Sequence, residues 1–335
     1  MINILILSYG NILEYNRAIF MMLSFECYYS GNKQKIRFVI FTDNADLFKS
    51  YNFESDLDII PISKSEIVQL KGPANFIHIV KIAIVEKTFN KYPQDYLLFI
   101  DSDTFFIQDP IKLFEEAVKG KIFMHVKEYL LEDAIELYRY VFNSDNLPKS
   151  FLNLIENKSY ILDNKNVNFN RHHYSWNSGV LGLTPEMARI IPDIYNMAND
   201  FYQSTEWILS EQLAFSLALQ VTVELNECGQ FITHYYEQKE FVDEFLEKNL
   251  TSDIKKIKGL DRKKQINKLV LNLRAGLKIN KFQKESSYFF YKKQIWKGIY
   301  YASLSFRAKP FDIKYSKDIL WHARKIFKEW IVSKK

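Results

Sequence analysis

The chain holds 335 residues, 47% hydrophobic and 25% charged, which excludes intrinsic disorder, collagen-like repeats and fibrous structure. Residues 1–250 carry 22 Lys/Arg against 34 Asp/Glu and residues 251–335 carry 23 against 6, so the net charge of +5 joins an acidic body of −12 to a basic tail of +17. No apolar run reaches the roughly 18–20 residues of a membrane-spanning helix, and two cysteines, Cys27 and Cys228, make no disulfide framework. The opening Met1–Leu7 lacks a basic leader and a small-residue cleavage site, so it reads as a strand rather than a signal peptide. Sparse cysteine fits a reducing, cytoplasmic setting.

Taken in chain order, Asn3–Ser8 is a short apolar strand followed by a helix over about residues 14–28. Arg37–Thr42 and Leu57–Ile62 are two further strands. Residues 76–89 place Ile77, Val80, Ile84 and Val85 at helical spacing, and Tyr96–Ile100 is an uninterrupted apolar run that stops at Asp101. Strands alternating with helices of this length predict a mainly parallel sheet with helices on both faces, whose ligands sit at the carboxyl ends of the strands. Asp145–Arg171 is rich in Asn, Asp and Lys and reads as an insertion or long loop. Trp176–Thr184 reads as a strand, Pro185 opens a helix to about Tyr202, and Glu206–Leu219 is another helix. Val221–Leu225 and Phe231–Tyr235 read as short strands, and the chain from about Asp253 is mostly helical.

The sharpest chemical feature is Asp101-Ser102-Asp103, directly after the buried run. In extended backbone, residues i and i+2 point the same way, so both carboxylates can approach one hard cation. A solvated acidic turn needs no buried strand before it, whereas a metal site gains from a rigid, dry support.

With these residues the sequence resembles the GT-A-type glycosyltransferases, most closely the retaining enzymes of glycosyltransferase family 8. The matching stretch from Phe76 to Phe114 holds a helix with a basic residue, the apolar strand, Asp101-Ser102-Asp103-Thr104, then Asp109-Pro110 and a helix. Three later segments follow in the family's order: Trp176-Asn177-Ser178-Gly179-Val180, Ser210-Glu211-Gln212 and Ile232-Thr233-His234-Tyr235. The resemblance implies a GT-A (Rossmann-like) α/β fold, mixed and mainly parallel, with a basic helical C-terminal extension. It implies Mn²⁺ or Mg²⁺ on Asp101, Asp103 and His234, holding the diphosphate of a nucleotide sugar. Asn177, Ser178 and Gly179 would line the sugar pocket, and Glu211 and Gln212 would stand near the reacting sugar. Ser8, Tyr9 and Gly10 at the end of the first strand, with Asp43 at the end of the second, would receive the nucleotide. Ser102 would help bind the nucleotide sugar, and Lys81 could reach a phosphate. The family follows its histidine with a Gly and then Lys-Pro-Trp; here the run is His234-Tyr235-Tyr236-Glu237-Gln238-Lys239-Glu240-Phe241, with Lys239 left to serve the diphosphate.

The expected organisation is a catalytic domain over residues 1–250, with the donor side at about 1–130 and the acceptor or sugar side at about 170–250, then a basic helical region at 251–335. The expected reaction moves a sugar, from a UDP-sugar by the family's habit, to a hydroxyl of a saccharide or lipid-linked acceptor, with retention favoured. If the reaction inverts, Glu211 is the first candidate for the general base. Two alternatives stand beside it. One is a degenerate nucleotide-sugar-binding or membrane-associated scaffold. The other is a haloacid-dehalogenase-type phosphohydrolase, whose motif wants Thr or Val where Phe105 stands. In the tail, Ile319, Leu320, Ala323, Ile326, Phe327, Trp330 and Ile331 recur at helical spacing, with Lys317, Arg324 and Lys328 on another face. That pattern suits peripheral attachment to an anionic membrane surface, such as the inner face of the cell membrane, or a helix that packs its apolar stripe on the catalytic body with its lysines in water. No nucleic-acid motif accompanies it.

Overall fold

A computed structural model describes residues 1–72, 74–250 and 253–333, with no side-chain description over 325–333. By compactness the chain forms two units, one of residues 1–239 and 246–267, the other of residues 240–245 and 268–335.

The first unit begins with β1 (Ile2–Leu7) and α1 (Ile12–Tyr28). The Asn11 side chain starts this helix by accepting the Leu13 and Glu14 N–H groups, which have no partners within the helix. There follow β2 (Ile36–Thr42), α2 (Ala45–Lys49), β3 (Asp56–Pro61), α3 (Lys64–Leu70) and α4 (Ile79–Lys91). Next come β4 (Tyr96–Ile100), β5 (Thr104–Phe106), α5 (Ile111–Val118), β6 (Ile122–Met124) and β7 (Lys127–Leu130). The chain continues through α6 (Ala134–Phe142), α7 (Asn146–Asn157), β8 (Ser159–Leu162), β9 (Lys165–Asn168), β10 (Tyr174–Trp176) and β11 (Val180–Leu183). It then forms α8 (Ile191–Thr205), α9 (Ser210–Thr222), β12 (Leu225–Glu227) and β13 (Ile232–His234).

Seven strands make the central sheet in the order β12-β6-β11-β4-β1-β2-β3. All run the same way except β11, which is antiparallel to both of its neighbours. Alternation within each strand divides the core. Leu5, Val39, Phe41, Leu97, Phe99, Leu181 and Leu183 join the buried residues of α4, α8 and α9 in one cluster. On α1, Phe25 meets Phe38, Phe106 and Phe114, with ring centroids 5.2–5.6 Å apart. Both faces are therefore covered, which is why β4 reads as a continuous apolar run.

Three expected elements differ. Residues 145–171 are no loop but α7 and a hairpin. Pro148, Phe151, Leu152 and Ile155 form the buried stripe of α7, and the polar residues that suggested a loop occupy its outer face. The β8–β9 turn is made by Asp163 and Asn164, both at positive φ (52° and 60°), the geometry a tight two-residue hairpin requires. The expected strand over 176–184 is broken into β10 and β11 at Asn177-Ser178-Gly179. The expected strand at 221–225 starts late, as β12 at Leu225, because α9 runs to Thr222. Its residues Ser210–Leu219 are all buried, so tertiary packing overrides the β-branched Val221 and Thr222.

α10 (Lys239–Asn249), α11 (Asp253–Lys256) and α12 (Gly259–Tyr291) lead into α13 (Ile295–Ala308) and α14 (Ile313–Ser333), the helical tail that composition anticipates. The opening of α12 belongs to the first unit. There Arg262 is buried, pairing with Glu26 of α1 at 3.2 Å and donating to the Tyr51 and Asn52 carbonyls at 2.6 and 3.2 Å. Glu26 also accepts the N–H groups of Glu54 and Ser55. Both cysteines are free thiols. No helix among the described residues is long and apolar enough to cross a membrane.

Candidate active site

After β1 the chain builds outward through β2 and β3, then returns to lay β4 on the other flank of β1. That reversal is a topological switch point, and the carboxyl ends of the two strands bound a crevice there. β1 runs into Ser8-Tyr9-Gly10 and β4 into Asp101-Ser102-Asp103.

The Asp101–Asp103 segment is a turn, not the extended backbone that sequence suggests, because the Thr104 hydroxyl donates to the Asp101 carbonyl at 2.8 Å. Two neighbouring strands fix this turn. The Asp101 N–H donates to the Gly179 carbonyl at 2.9 Å, and the Tyr235 N–H to the Asp103 carbonyl at 3.0 Å. β13 pairs with β5 so that His234 lies opposite Thr104. One ligating atom from each of Asp101, Asp103 and His234 thus lies within 4.8 Å of the other two.

Asn177 settles the tautomer of His234. Its Oδ1 accepts the Gly179 N–H at 3.0 Å and its Nδ2 donates to Glu128 Oε1 at 3.0 Å, so two partners fix the amide's orientation. His234 Nδ1, 2.8 Å from that same Oδ1, is therefore the protonated nitrogen. His234 Nε2 stands 3.3 Å from Asp103 Oδ1. When the ring is neutral these are two acceptors facing each other, a conflict that a divalent cation held by both residues would relieve. Two carboxylates and one imidazole oriented by an amide behind it fit Mn²⁺ or Mg²⁺, with positions left for other oxygens. Gly179 is required for this arrangement. A Cβ there would stand 2.3 Å from His234 Nδ1 and 2.9 Å from Asn177 Oδ1.

Two lysines balance the carboxylates. Lys239 lies 2.9 Å from Asp103 Oδ2. Burial alone would raise the Asp103 carboxyl, but a charged His234 ring, which carries a proton on Nε2 as well, and Lys239 outweigh it and hold the group far below the usual carboxylate range. Lys81 is buried on α4, 3.2 Å from Asp101 Oδ2, 3.1 Å from the Ser178 hydroxyl and 3.4 Å from Glu211 Oε1. Burial works against its charge, yet Asp101 and Glu211 keep its pKa above the ordinary value. It thus faces the carboxylates.

Glu211 and Gln212 open α9 and are both buried. Burial pushes the Glu211 carboxyl up to about 7, Lys81 opposing the rise and Asp101 adding to it. Its Oε2 accepts from the Ser178 hydroxyl at 3.2 Å, while Oε1 is buried without a hydrogen bond. Gln212 accepts the Ser178 N–H at 3.4 Å and donates to Glu128 Oε2 at 2.9 Å and to the Ser175 hydroxyl at 3.1 Å.

On the β1 side, the Ser8 hydroxyl turns inward to the Glu14 carbonyl at 3.1 Å, and Tyr9 is half-buried. Gly10, at φ 94°, donates its N–H to both carboxylate oxygens of Asp43 at 3.1 Å. Asp43 also accepts the Tyr15 hydroxyl at 2.7 Å. The Ser102 hydroxyl donates to Glu14 Oε2 at 2.8 Å, and Arg17 holds Glu14 Oε1 at 2.5 Å.

Asp101, Asp103, Lys81, Asn177, Ser178, Gly179, Glu211, Gln212, His234 and Lys239 therefore form one connected cluster, and Ser102 joins the Glu14–Arg17 pair at its edge. At the neighbouring strand ends, Ser8 bonds to Glu14 of α1, and Gly10 and Asp43 bond to each other, Asp43 also to Tyr15 of α1; Tyr9 lies between them, half-buried. Sequence reading missed Glu128, which accepts from Asn177, Gln212 and, at 3.1 Å, Ser175. It also missed Glu14 and Arg17. A lone acidic residue in a short strand and an i, i+3 ion pair on a helix carry no signal that separates them from ordinary surface charges.

No protein-family model matches the chain, and no curated protein matches it. Among solved structures it is similar to mouse xyloside xylosyltransferase 1 in its apo form, at 10% identity over 68% of this chain and 85% of that one, with a TM-score of 0.43. It is also similar to the galactosyltransferase LgtC in complex with donor and acceptor sugar analogs, at 13% identity over 64% of this chain and 70% of that one, with a TM-score of 0.40.

Proposed function

We propose that the chain is a metal-dependent glycosyltransferase of GT-A type, moving a sugar from a nucleotide-diphosphate donor to a hydroxyl of a saccharide or lipid-linked acceptor. The observation that carries this reading is the convergence of Asp101, Asp103 and His234 at the switch-point crevice, with Lys239 beside them and Glu211 behind. The chemical task is to let a nucleoside diphosphate leave an anomeric carbon. When bound, a divalent cation supplies Lewis acidity at the diphosphate. Lys239 adds a cation on the same side, so charge that develops on the leaving oxygen meets preorganised positive groups. Lys81 and Ser178 hold the Glu211 carboxyl in place, and Glu128 and Ser175 hold the Gln212 amide. Glu211 and Gln212 are assigned to the sugar ring, with retention as the proposed outcome. Tyr9 and Asp43 are assigned to the nucleotide, and a UDP-sugar is the first donor to test.

The test is donor hydrolysis and binding with UDP- and GDP-sugars in Mn²⁺, Mg²⁺ or EDTA, alongside Asp103→Ala. Turnover that needs metal and disappears in the variant is expected. A folded protein that binds no donor under any of these conditions overturns the reading.

A further inference from the structure

The second unit carries an outward aromatic strip whose orientation is fixed by its own packing. On α13, Gly298, Ala302 and Ser305 are buried. The Gly298 carbonyl accepts the Ser286 hydroxyl of α12 at 3.0 Å, and a Cβ at Gly298 would meet the Phe290 ring at 2.7 Å. The small-residue side of α13 is therefore its packing side. Ile295, Trp296, Ile299 and Tyr300, at i, i+1, i+4 and i+5, fall on another side of the helix and are all exposed, Trp296 at 84%. Beyond α13, Phe311 is 92% exposed and Ile313 71%. Their turn is pinned by Asp312, which accepts from Gln283 at 3.1 Å, pairs with Lys309 at 2.9 Å and accepts the Tyr315 N–H at 3.1 Å. These large side chains are thus held in water by rigid neighbours, which a stable surface does not ordinarily do.

Charge selects the occupant. Residues 268–335 contain 17 Lys/Arg against 4 Asp/Glu, a net of +13. Lys292, Lys293 and Lys297 bracket the start of the aromatic strip, and Lys309 and Lys314 bracket Phe311. A protein partner with a matching apolar groove needs no such excess of one sign. An anionic bilayer needs both features: aromatic rings that settle at the headgroup level, and lysines that neutralise the lipid phosphates. We propose that the α13 strip and the Phe311 turn form a peripheral docking surface for an anionic lipid bilayer. Sequence periodicity points instead to a stripe on α14. Of that stripe, Leu320 is exposed, Ile319 is half-buried, and the side chains of Ile326, Phe327, Lys328, Trp330 and Ile331 lie outside the described residues.

The experiment sediments the full chain with phosphatidylcholine vesicles and with vesicles mixed from phosphatidylcholine and phosphatidylglycerol, at low and high salt. Binding to the anionic vesicles alone, weakened by salt, is expected. Replacing Lys292, Lys293 and Lys297 together by Gln should weaken it roughly a hundredfold, because each basic side chain at an anionic surface is worth about a factor of five. Trp296→Ser, Tyr300→Ser and Phe311→Ser combined should lower retention on the anionic vesicles at least as far. Circular dichroism and donor binding should stay unchanged in both variants. Two results overturn the proposal: no retention on anionic vesicles, or equal retention of the aromatic triple variant. Concentration-dependent dimers that the triple variant abolishes, without vesicle binding, would also overturn it and assign the strip to a second copy of the chain.

Discussion

Gly179→Ala tests the central claim that the metal site is held by an amide–imidazole contact with no spare room. The added methyl would sit 2.3 Å from His234 Nδ1, 2.5 Å from Cε1 and 2.9 Å from Asn177 Oδ1. None of these atoms can yield freely. Asn177 is fixed by the Gly179 N–H and by Glu128, while the His234 backbone is held by the pairing of β13 with β5 and its ring by the bond to Asn177. If the ring stays, overpacking costs about 1–3 kcal/mol of stability. If it swings away, the Nδ1–Asn177 hydrogen bond is lost at about 1 kcal/mol, and Nε2 leaves its place 3.3 Å from Asp103. Losing an orienting partner of this kind typically lowers metal affinity 10–100-fold. The control lies three residues on, within β11: a Cβ at Gly182 would meet the Tyr96 hydroxyl at 2.5 Å and Phe123 Cβ at 3.1 Å, in the core rather than at the site. Urea denaturation should show both alanine variants destabilised, and calorimetric titration with Mn²⁺ should show the affinity loss in Gly179→Ala alone. Wild-type Mn²⁺ affinity in Gly179→Ala, or an equal loss in Gly182→Ala, would refute the reasoning.

Three further outcomes follow from the same geometry. The folded state holds the Glu211 proton up to about pH 7, against 4.5 ordinarily, so its contribution is complete at low pH and is lost as pH rises through that window. In metal-free protein this should remove on the order of 3 kcal/mol between the two values, and Glu211→Gln should flatten that part of the pH profile of unfolding; an unchanged profile would show that the carboxyl does not titrate there. Glu128 is acceptor-only toward Asn177, Gln212 and Ser175, so Glu128→Gln must set an amide donor against at least one of them. Mn²⁺ affinity should fall about tenfold, with the denaturation midpoint nearly unmoved; a large midpoint loss with intact affinity would make Glu128 structural only. Arg262→Ala leaves the Glu26 carboxyl buried without its guanidinium, and should cost about 3–5 kcal/mol in urea denaturation; a loss below about 1 kcal/mol would mean that the pair is not desolvated.

What sequence made legible was whatever depends on a single strand and its end. The β4 run and Asp101 could be placed because a strand covered on both faces must be apolar throughout and must stop where charge begins. Residues 176–184 were harder, since apolar content continues through Val180–Leu183 while Asn177, Ser178 and Gly179 turn their polar groups into the site. Periodicity sees one strand there, whereas the hydrogen bonds to Glu128, Glu211 and Gln212 impose a break. The same limit hid Glu128. Its role exists only because β7 pairs with β10 and brings it against residues some fifty and eighty positions later. The 145–171 segment failed for a different reason. A helix that buries one narrow stripe is mostly polar by composition, and the positive-φ pair Asp163-Asn164 is a turn in either reading. Local chemistry is written locally, then, but the partners that orient it are supplied by strand pairing. For this site that means Asp103 was readable from its neighbours, while the orientation of His234 depends on Asn177, Gly179 and Glu128, which only the folded sheet brings together.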